Sequence, residues 1–466
     1  MLAVRKVLKT LQPYNLKTLH PIRYSMKTYS TKQIFQIALP ILISVLMEQI
    51  IGMTDAAFLG RVGEVELGAS ALGGILYIAL FMLAVGFATG AQILIGRRNG
   101  EGNHAAIGGI FYHGIVFLLL LSLIITGATF LWGEALMHLM IQSDAVATAA
   151  TTYLDWRIVG YGAAVVCAMF RAFYVATTNT RTLTYNSIIM VGGNVLLNYM
   201  LIFGALGAPR MGIAGAALAS SLASVISVVF FIGYTLTQTD FRKYALHRLP
   251  RLRVSTLQHV LGIGVWTMIQ NFLALATWFI FFLGVEHLGE SELASSNVLR
   301  NISGFFFMSM AALGATVSTL SSNLLGQQEH RSVIPLMWRI VRLCYLVMLP
   351  FCLLVALFPE PVIWVFTTDA ALIEMSISPL RIFIFSYLFG IPAQILLHVV
   401  SGTGNTRTAL CAELATLAIY VLYLVIAVFG FRSNLTICWA SEVVYSLGLL
   451  IYCWCYLRRG TWVRSL

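Results

Sequence analysis

The chain alternates long apolar runs with short polar breaks. The runs fall at roughly 34–58, 68–95, 107–131, 148–175, 183–204 and 213–237, then at 257–285, 293–324, 336–358, 376–400, 408–429 and 435–457. Each is about the length a helix needs to cross a bilayer. Backbone groups in hydrocarbon must bond within their own segment, so runs of this kind predict helices. Barrel strands would show short alternating segments, a pattern this chain lacks. The expected fold class is therefore an all-α integral membrane protein with twelve transmembrane helices.

The polar breaks repeat. Gly63–Leu67 (Gly-Glu-Val-Glu-Leu) returns 226 residues later as Gly289–Leu293 (Gly-Glu-Ser-Glu-Leu). Asn179–Thr182 returns as Asn405–Thr408, and Phe203-Gly204 as Phe429-Gly430, at the same offset. The chain is one unit taken twice. Six spans per unit give both copies the same orientation, so the two six-helix lobes should be related by a pseudo-twofold axis along the membrane normal, the build of many secondary transporters. The expected organisation is a basic N-terminal arm (1–33), an N-lobe (34–237), a basic connector (238–256), a C-lobe (257–457) and a tail (458–466).

Composition agrees with a lipid environment: 59% of residues are hydrophobic and 10% charged, against about 25% charged in soluble domains. The formal charge of +11 does not indicate nucleic acid, because its placement follows the positive-inside pattern. Seven Lys and Arg lie in the segment up to Lys32, and five lie between Arg242 and Arg253. Alternate loops carry Glu64, Glu66, Glu134, Asp144, Glu286, Glu290, Glu292, Glu360 and Asp369 instead. Both termini are thus expected in the cytoplasm, in a multi-pass protein of the cell's inner (plasma) membrane. The first 33 residues contain no acid and superficially resemble an organellar presequence; they are read as a cytoplasmic arm, with translation starting at Met1 or Met26. Seven scattered cysteines lack zinc-ligand spacing and are read as packing residues.

Ionisable groups within the runs cost about 2.5–3.5 kcal/mol each on insertion scales, so each needs a reason. Asp55 lies late in the first run, after Pro40, and Glu48 lies two turns earlier on the same face. Asn194 and Asn198 stand at i and i+4 in the fifth run, and Ser220 and Ser221 lie in the sixth. A carboxylate with amide and hydroxyl oxygens suits a proton or a hard cation such as Na+; hydrogen bonding between spans accounts for the amides and hydroxyls equally well. In the second unit Glu413 and Glu442 are candidates for a second protonatable site. Glu48, Gln270, Asn271, Gln394, His398 and Tyr420 are candidates to line a cavity, with packing as the alternative for each. Arg171 is expected to snorkel or pair locally, and Arg300 and Arg381 to sit at helix ends. Gly96-Arg97-Arg98-Asn99-Gly100 and Gly326-Gln327 are read as tight helix exits with positive φ. The small residues Gly212–Ala217 are read as a close-packing surface.

On these residues the chain resembles the multidrug and toxic compound extrusion (MATE) family over roughly 34–457. Pro40 and Asp55 followed by Phe58-Leu59-Gly60, Gly96, Arg171-Ala172, Asn194-x-x-x-Asn198 followed by Leu201–Gly204, Gly212–Ser220 and Gly404-Asn405-Thr406 carry the resemblance. It implies a prokaryotic antiporter that exports organic, cationic or amphipathic drugs or toxins in exchange for H+ or Na+. It implies no enzymatic activity, no cofactor besides the coupling ion, no nucleic-acid partner and a monomer in the lipid bilayer. By analogy the cation-coupling site is Asp55, Asn194, Asn198 and Ser220, with Na+ possible at Asp55, Asn194 and Asn198. Some members carry Asp at the position of Asn198. The seventh and tenth runs lack the acids of the NorM-like branch, which places the chain nearer the DinF-like branch. A flippase for a lipid-linked precursor, of the same superfamily architecture, is the alternative function.

Overall fold

The computed structural model describes residues 29–248, 250–430 and 434–464; most of the basic arm, including Met26, lies outside them. The helices are α1 (Thr31–Leu59), α2 (Glu64–Gly100), α3 (His104–Met140), α4 (Asp144–Val159), α5 (Tyr161–Ala176), α6 (Arg181–Phe203) and α7 (Ile213–Gln238) in the first half. The second half has α8 (Val254–Glu286), α9 (Glu290–Gly326), α10 (Val333–Leu357), α11 (Pro359–Trp364), α12 (Ala370–Gly402), α13 (Thr406–Val425), α14 (Leu435–Trp439) and α15 (Ser441–Arg459). Among the described residues eleven helices are long and apolar enough to cross a membrane, with a twelfth span if the bent pair α4–α5 is taken as one. The fourth run, expected to be continuous, is broken there: α4 and α5 meet at a 52° bend at Gly160. A Cβ on Gly160 would lie 2.5 Å from Ser221 Cβ of α7, so glycine lets the break press against the sixth span.

The repeat is visible in the backbone. The helices α2 and α9 each have 37 residues and begin at the same offset as the repeated loops. Each starts after a glycine, Gly63 or Gly289, over which the carboxylate of Glu66 or Glu292 folds back. These acids sit in the first turn, where the exposed N–H groups favour negative charge. The first helix, α1, starts in a capping box: Ser30 Oγ accepts from Gln33 N at 3.2 Å and Gln33 Oε1 accepts from Ser30 N at 2.8 Å.

The halves meet through α2, which packs along α8 and α9, and through α9 against α1. The first half of α2 rests on α4 of its own lobe, where a Cβ on Gly73 would lie 3.1 Å from Ala150 O. Its second half crosses to the other lobe: Cβ atoms on Gly86 and Gly90 would lie 2.5 Å from the Cα atoms of Met268 and Gly264. At the far end the contact is reciprocal. A Cβ on Gly100 would lie 2.0 Å from Asn323 O, and one on Gly326 would lie 2.2 Å from Arg97 O. These two pairs exchange under the repeat, as an isologous contact on a pseudo-twofold axis requires. Gly96, Gly100 and Gly326 therefore do not make the helix exits expected from the sequence. They stay helical, and the positive φ falls on Gly102 (72°) and Gln328 (63°). Their missing side chains let backbones from opposite halves touch. Polar bonds complete this closed end: Gln92 Nε2 donates to Thr319 Oγ1 (2.8 Å), Asn99 Nδ2 to Asn323 Oδ1 (2.7 Å) and Asn323 Nδ2 to Ala176 O (3.1 Å).

Candidate functional site

Three polar rungs tie α1 to the parallel α6. Pro40 lacks the N–H of a normal helical residue, and its carbonyl accepts from Thr184 Oγ1 at 3.4 Å. Ser44 and Ser187 share a hydrogen bond of 2.8 Å. The third rung is Asp55 with Asn198. The antiparallel α6 and α7 join through Asn186 Oδ1, which accepts from Ser227 Oγ at 2.8 Å, and through Asn194 with Ser220. Gly215 admits the Leu201 carbonyl, which would lie 2.5 Å from a Cβ there; this is the close packing expected of Gly212–Ala217.

The four residues Asp55, Asn194, Asn198 and Ser220 form one network. Asp55 Oδ1 accepts from Asn198 Nδ2 (2.5 Å), and Oδ2 accepts from Ser220 Oγ (2.8 Å). Asn194 Nδ2 donates to Ser220 Oγ (3.0 Å), and Asn194 Oδ1 accepts from Asn198 Nδ2 (3.1 Å). Both asparagines are wholly buried and Ser220 is 4% exposed. Asn198 Oδ1 is buried without a hydrogen-bond partner. A buried unpaired acceptor costs about 1–3 kcal/mol, so an amide that keeps one is set up for another bonding state. A half-turn of that amide brings Oδ1 onto Asp55, where it can accept from a protonated carboxyl or help hold a cation.

A residue not singled out in the sequence belongs to this neighbourhood. Arg157 of α4 lies within electrostatic reach of Asp55. Its guanidinium carbon sits 4.2 Å above the centroid of the Tyr77 ring, and its buried Nη1 has no hydrogen-bond partner. Ser221, next to Ser220, donates to the carbonyls of Trp156 (2.9 Å) and Arg157 (3.2 Å). The signal was available: Arg157 is an arginine inside an apolar run.

The other candidates separate from this network. Glu48 faces α5, where its Oε1 accepts from Arg171 Nη1 in an ion pair; Arg171 thus reaches another span rather than snorkelling. Glu413 (α13) and Glu442 (α15) lie together in the second half with Tyr420, Tyr445, Gln270 and Gln394. Tyr420, at 2% exposure, is enclosed by that half and lines no open wall. His398 lies against α9, where a Cβ on Gly314 would come within 2.3 Å of its Cδ2. Asn271 is half-buried on α8. Arg300 stacks over the Phe282 ring at 5.2 Å, and Arg381 Nε donates to Ala356 O at 3.3 Å. Among the described residues no group of three His, Cys, Asp or Glu is placed to hold a metal ion.

Two like halves of membrane helices, joined at one end and holding carboxylates among their helices, have the build of a secondary transporter. The family model described as MatE matches residues 40–200 and 267–429, well over half the chain. The chain belongs to the MatE family. It is 26% identical over 383 residues to a probable multidrug resistance protein NorM of Thermotoga maritima, covering 80% of each chain. It is 25% identical over 398 residues to a protein of the same description from Synechocystis, covering 83% of this chain and 85% of that one. Among solved structures it resembles an outward-facing multidrug resistance MATE family transporter of the MOP superfamily, with a TM-score of 0.84 at 18% identity over 93% of this chain and 97% of that one.

Proposed function

We propose that the protein is a multidrug efflux antiporter of the inner membrane that exports organic cations in exchange for protons, with Asp55 as the coupling carboxylate. The observation that carries this reading is the buried Asp55–Asn198–Ser220 network and its orphan Asn198 oxygen. The NorM relatives, all described as multidrug resistance proteins, supply the cargo class and disfavour the lipid-precursor flippase.

The proton is preferred over Na+ on three grounds. Sodium wants several oxygen ligands, and the network offers a single carboxylate. Asn198 and Ser220 aim donor hydrogens at that carboxylate, occupying lone pairs a metal would need. The Arg157 cation stands nearby. A proton makes Asp55 neutral, turns the carboxyl into a donor and gives Asn198 Oδ1 a partner.

Lys and Arg concentrate in the loops on the side of both termini, which in this reading puts the closed end toward the cytoplasm. In this reading 34–237 and 257–457 are the moving lobes and the connector lies in the cytoplasm. Protonation of Asp55 changes how α1 packs on α6 and α7. Coupling follows when proton and drug favour different arrangements of the first half.

The test is ethidium efflux from pump-deficient bacteria, in buffers with and without sodium and with a protonophore. Efflux that ignores sodium and collapses with the protonophore is expected. Sodium-stimulated efflux that survives the protonophore overturns proton coupling, and no efflux from well-expressed protein overturns the drug-exporter reading.

A further inference from the structure

The second half holds two carboxylates that the Asp55 mechanism does not use. Glu413 of α13 is 4% exposed. Its Oε1 accepts from Tyr445 Oη of α15 at 2.5 Å, while its buried Oε2 has no hydrogen-bond partner, although the Gln270 amide of α8 lies alongside. Glu442 is half-buried at the start of α15, and its Oε1 accepts from Tyr420 Oη of α13 at 3.4 Å. The rings of Tyr420 and Tyr445 meet edge to face, with centroids 6.0 Å apart.

These four residues run in depth order. Glu442 and Tyr420 lie toward the end opposite the closed end. Tyr445 is one turn deeper on α15. Glu413 is two turns deeper than Tyr420 on α13, about 10 Å at 1.5 Å per residue. The order thus leads from a half-buried carboxylate to an enclosed one.

Among the described residues the surroundings hold no counter-charge: no Lys, Arg or His forms an ion pair with either acid. The elements packed on α13 and α15 present Gln270 from α8, Tyr387 and Gln394 from α12, and Cys438 from α14, with Cys453 on α15 itself. His398, one turn beyond Gln394, turns away to Gly314. An unpaired charge is expensive in such a setting. A proton on Glu413 Oε2 removes the charge and adds a donor beside the Gln270 amide.

We propose that the second half carries its own exchangeable proton on Glu413, held between the Tyr445 hydroxyl and the Gln270 amide. Each cycle then moves this proton in addition to the one at Asp55. The proton comes from water, binds Glu413 Oε2 and returns to water after the lobes rearrange; no other bond is made or broken. The inference goes beyond the Asp55 reading, because it concerns a site on other helices.

Two measurements on the full-length protein test it. The first needs no transport: infrared difference spectra of purified protein between acid and alkaline buffer, in the Asp55→Asn background. The exposed acids also contribute a protonated-carboxyl band, so the readout is the comparison with the Asp55→Asn/Glu413→Gln double variant, which should lose the component of one buried carboxyl. Superimposable pH-difference spectra with and without Glu413→Gln overturn the proposal. The second is the proton-to-drug stoichiometry from reversal potentials in proteoliposomes. It should fall by one proton in Glu413→Gln with Asp55 intact, whereas Tyr445→Phe should keep the stoichiometry and slow turnover. An unchanged stoichiometry in Glu413→Gln overturns the proposal. Wild-type protein that moves no drug down any gradient would instead sink the exporter reading, leaving the infrared result to decide this one.

Discussion

In the first half the carboxylate comes from α1 and is held by α6 and α7; in the second half the counterpart helix, α8, brings an aromatic ring to that place. At the 226-residue offset Asp55 corresponds to Phe281 and Arg157 to Phe383. Both phenylalanines pack on Trp439, with centroids 4.9 and 5.1 Å from it, and Phe281 is 1% exposed. Asn194 corresponds to Tyr420, and Ser187, bonded to Ser44, corresponds to Glu413 beside Gln270, itself the counterpart of Ser44. The duplication thus kept the helices and moved the acids. A position that is an acid and an arginine in one copy, and two rings on one tryptophan in the other, tolerates apolar packing. The charges in the first copy therefore serve something besides the fold.

The largest expected effect falls on that difference. Asp55→Asn keeps the shape and removes the exchangeable proton, and its amide nitrogen replaces one of the two accepting oxygens. Gradient-driven ethidium efflux should fall about 100-fold, the upper part of the usual coupling range, at unchanged expression. The closed end probes what the halves still share. Gly100→Val and Gly326→Val each push a side chain into the opposite backbone, with an overpacking cost of about 1–3 kcal/mol. Because the two contacts exchange under the repeat, both should increase labelling of a Thr319→Cys reporter by an impermeant maleimide from the cytoplasmic side, and by similar factors. Labelling raised by only one of them breaks the equivalence. Asn198→Asp adds a second carboxylate to the first half only. It should give efflux a sodium stimulation of several-fold that the wild type lacks, read as efflux rate against sodium. The smallest effect is Ser220→Ala, which removes one hydrogen bond to Asp55 worth about 1.5–3 kcal/mol for a charged acceptor. It should shift the pH dependence of efflux and spare drug binding.

The sequence carried the architecture because the repeat and the apolar runs are one-dimensional signals. It made Asp55, Asn194 and Asn198 conspicuous, because a carboxylate in an apolar run and two amides one turn apart stand out, but their grouping with Ser220 into one site came from the resemblance to the MATE family. Other features depend on what lies across a helix interface. The repeated glycines Gly100 and Gly326 look like helix exits until the opposite backbone is seen against them. The break at Gly160 hides in a run whose hydropathy is continuous. Tyr445 looks like any membrane tyrosine until its hydroxyl is found on Glu413. Glu48 shares a helix face with Asp55, yet the bend between α4 and α5 leads into the helix that pairs it with Arg171.

The most direct test of the central claim uses purified wild type and Asp55→Asn in proteoliposomes with an imposed pH gradient and no sodium, following ethidium flux and equilibrium ethidium binding side by side. The account predicts that both proteins bind ethidium and that only the wild type moves it when the gradient is applied. Asp55→Asn protein that moves ethidium at the wild-type rate under that gradient would contradict it.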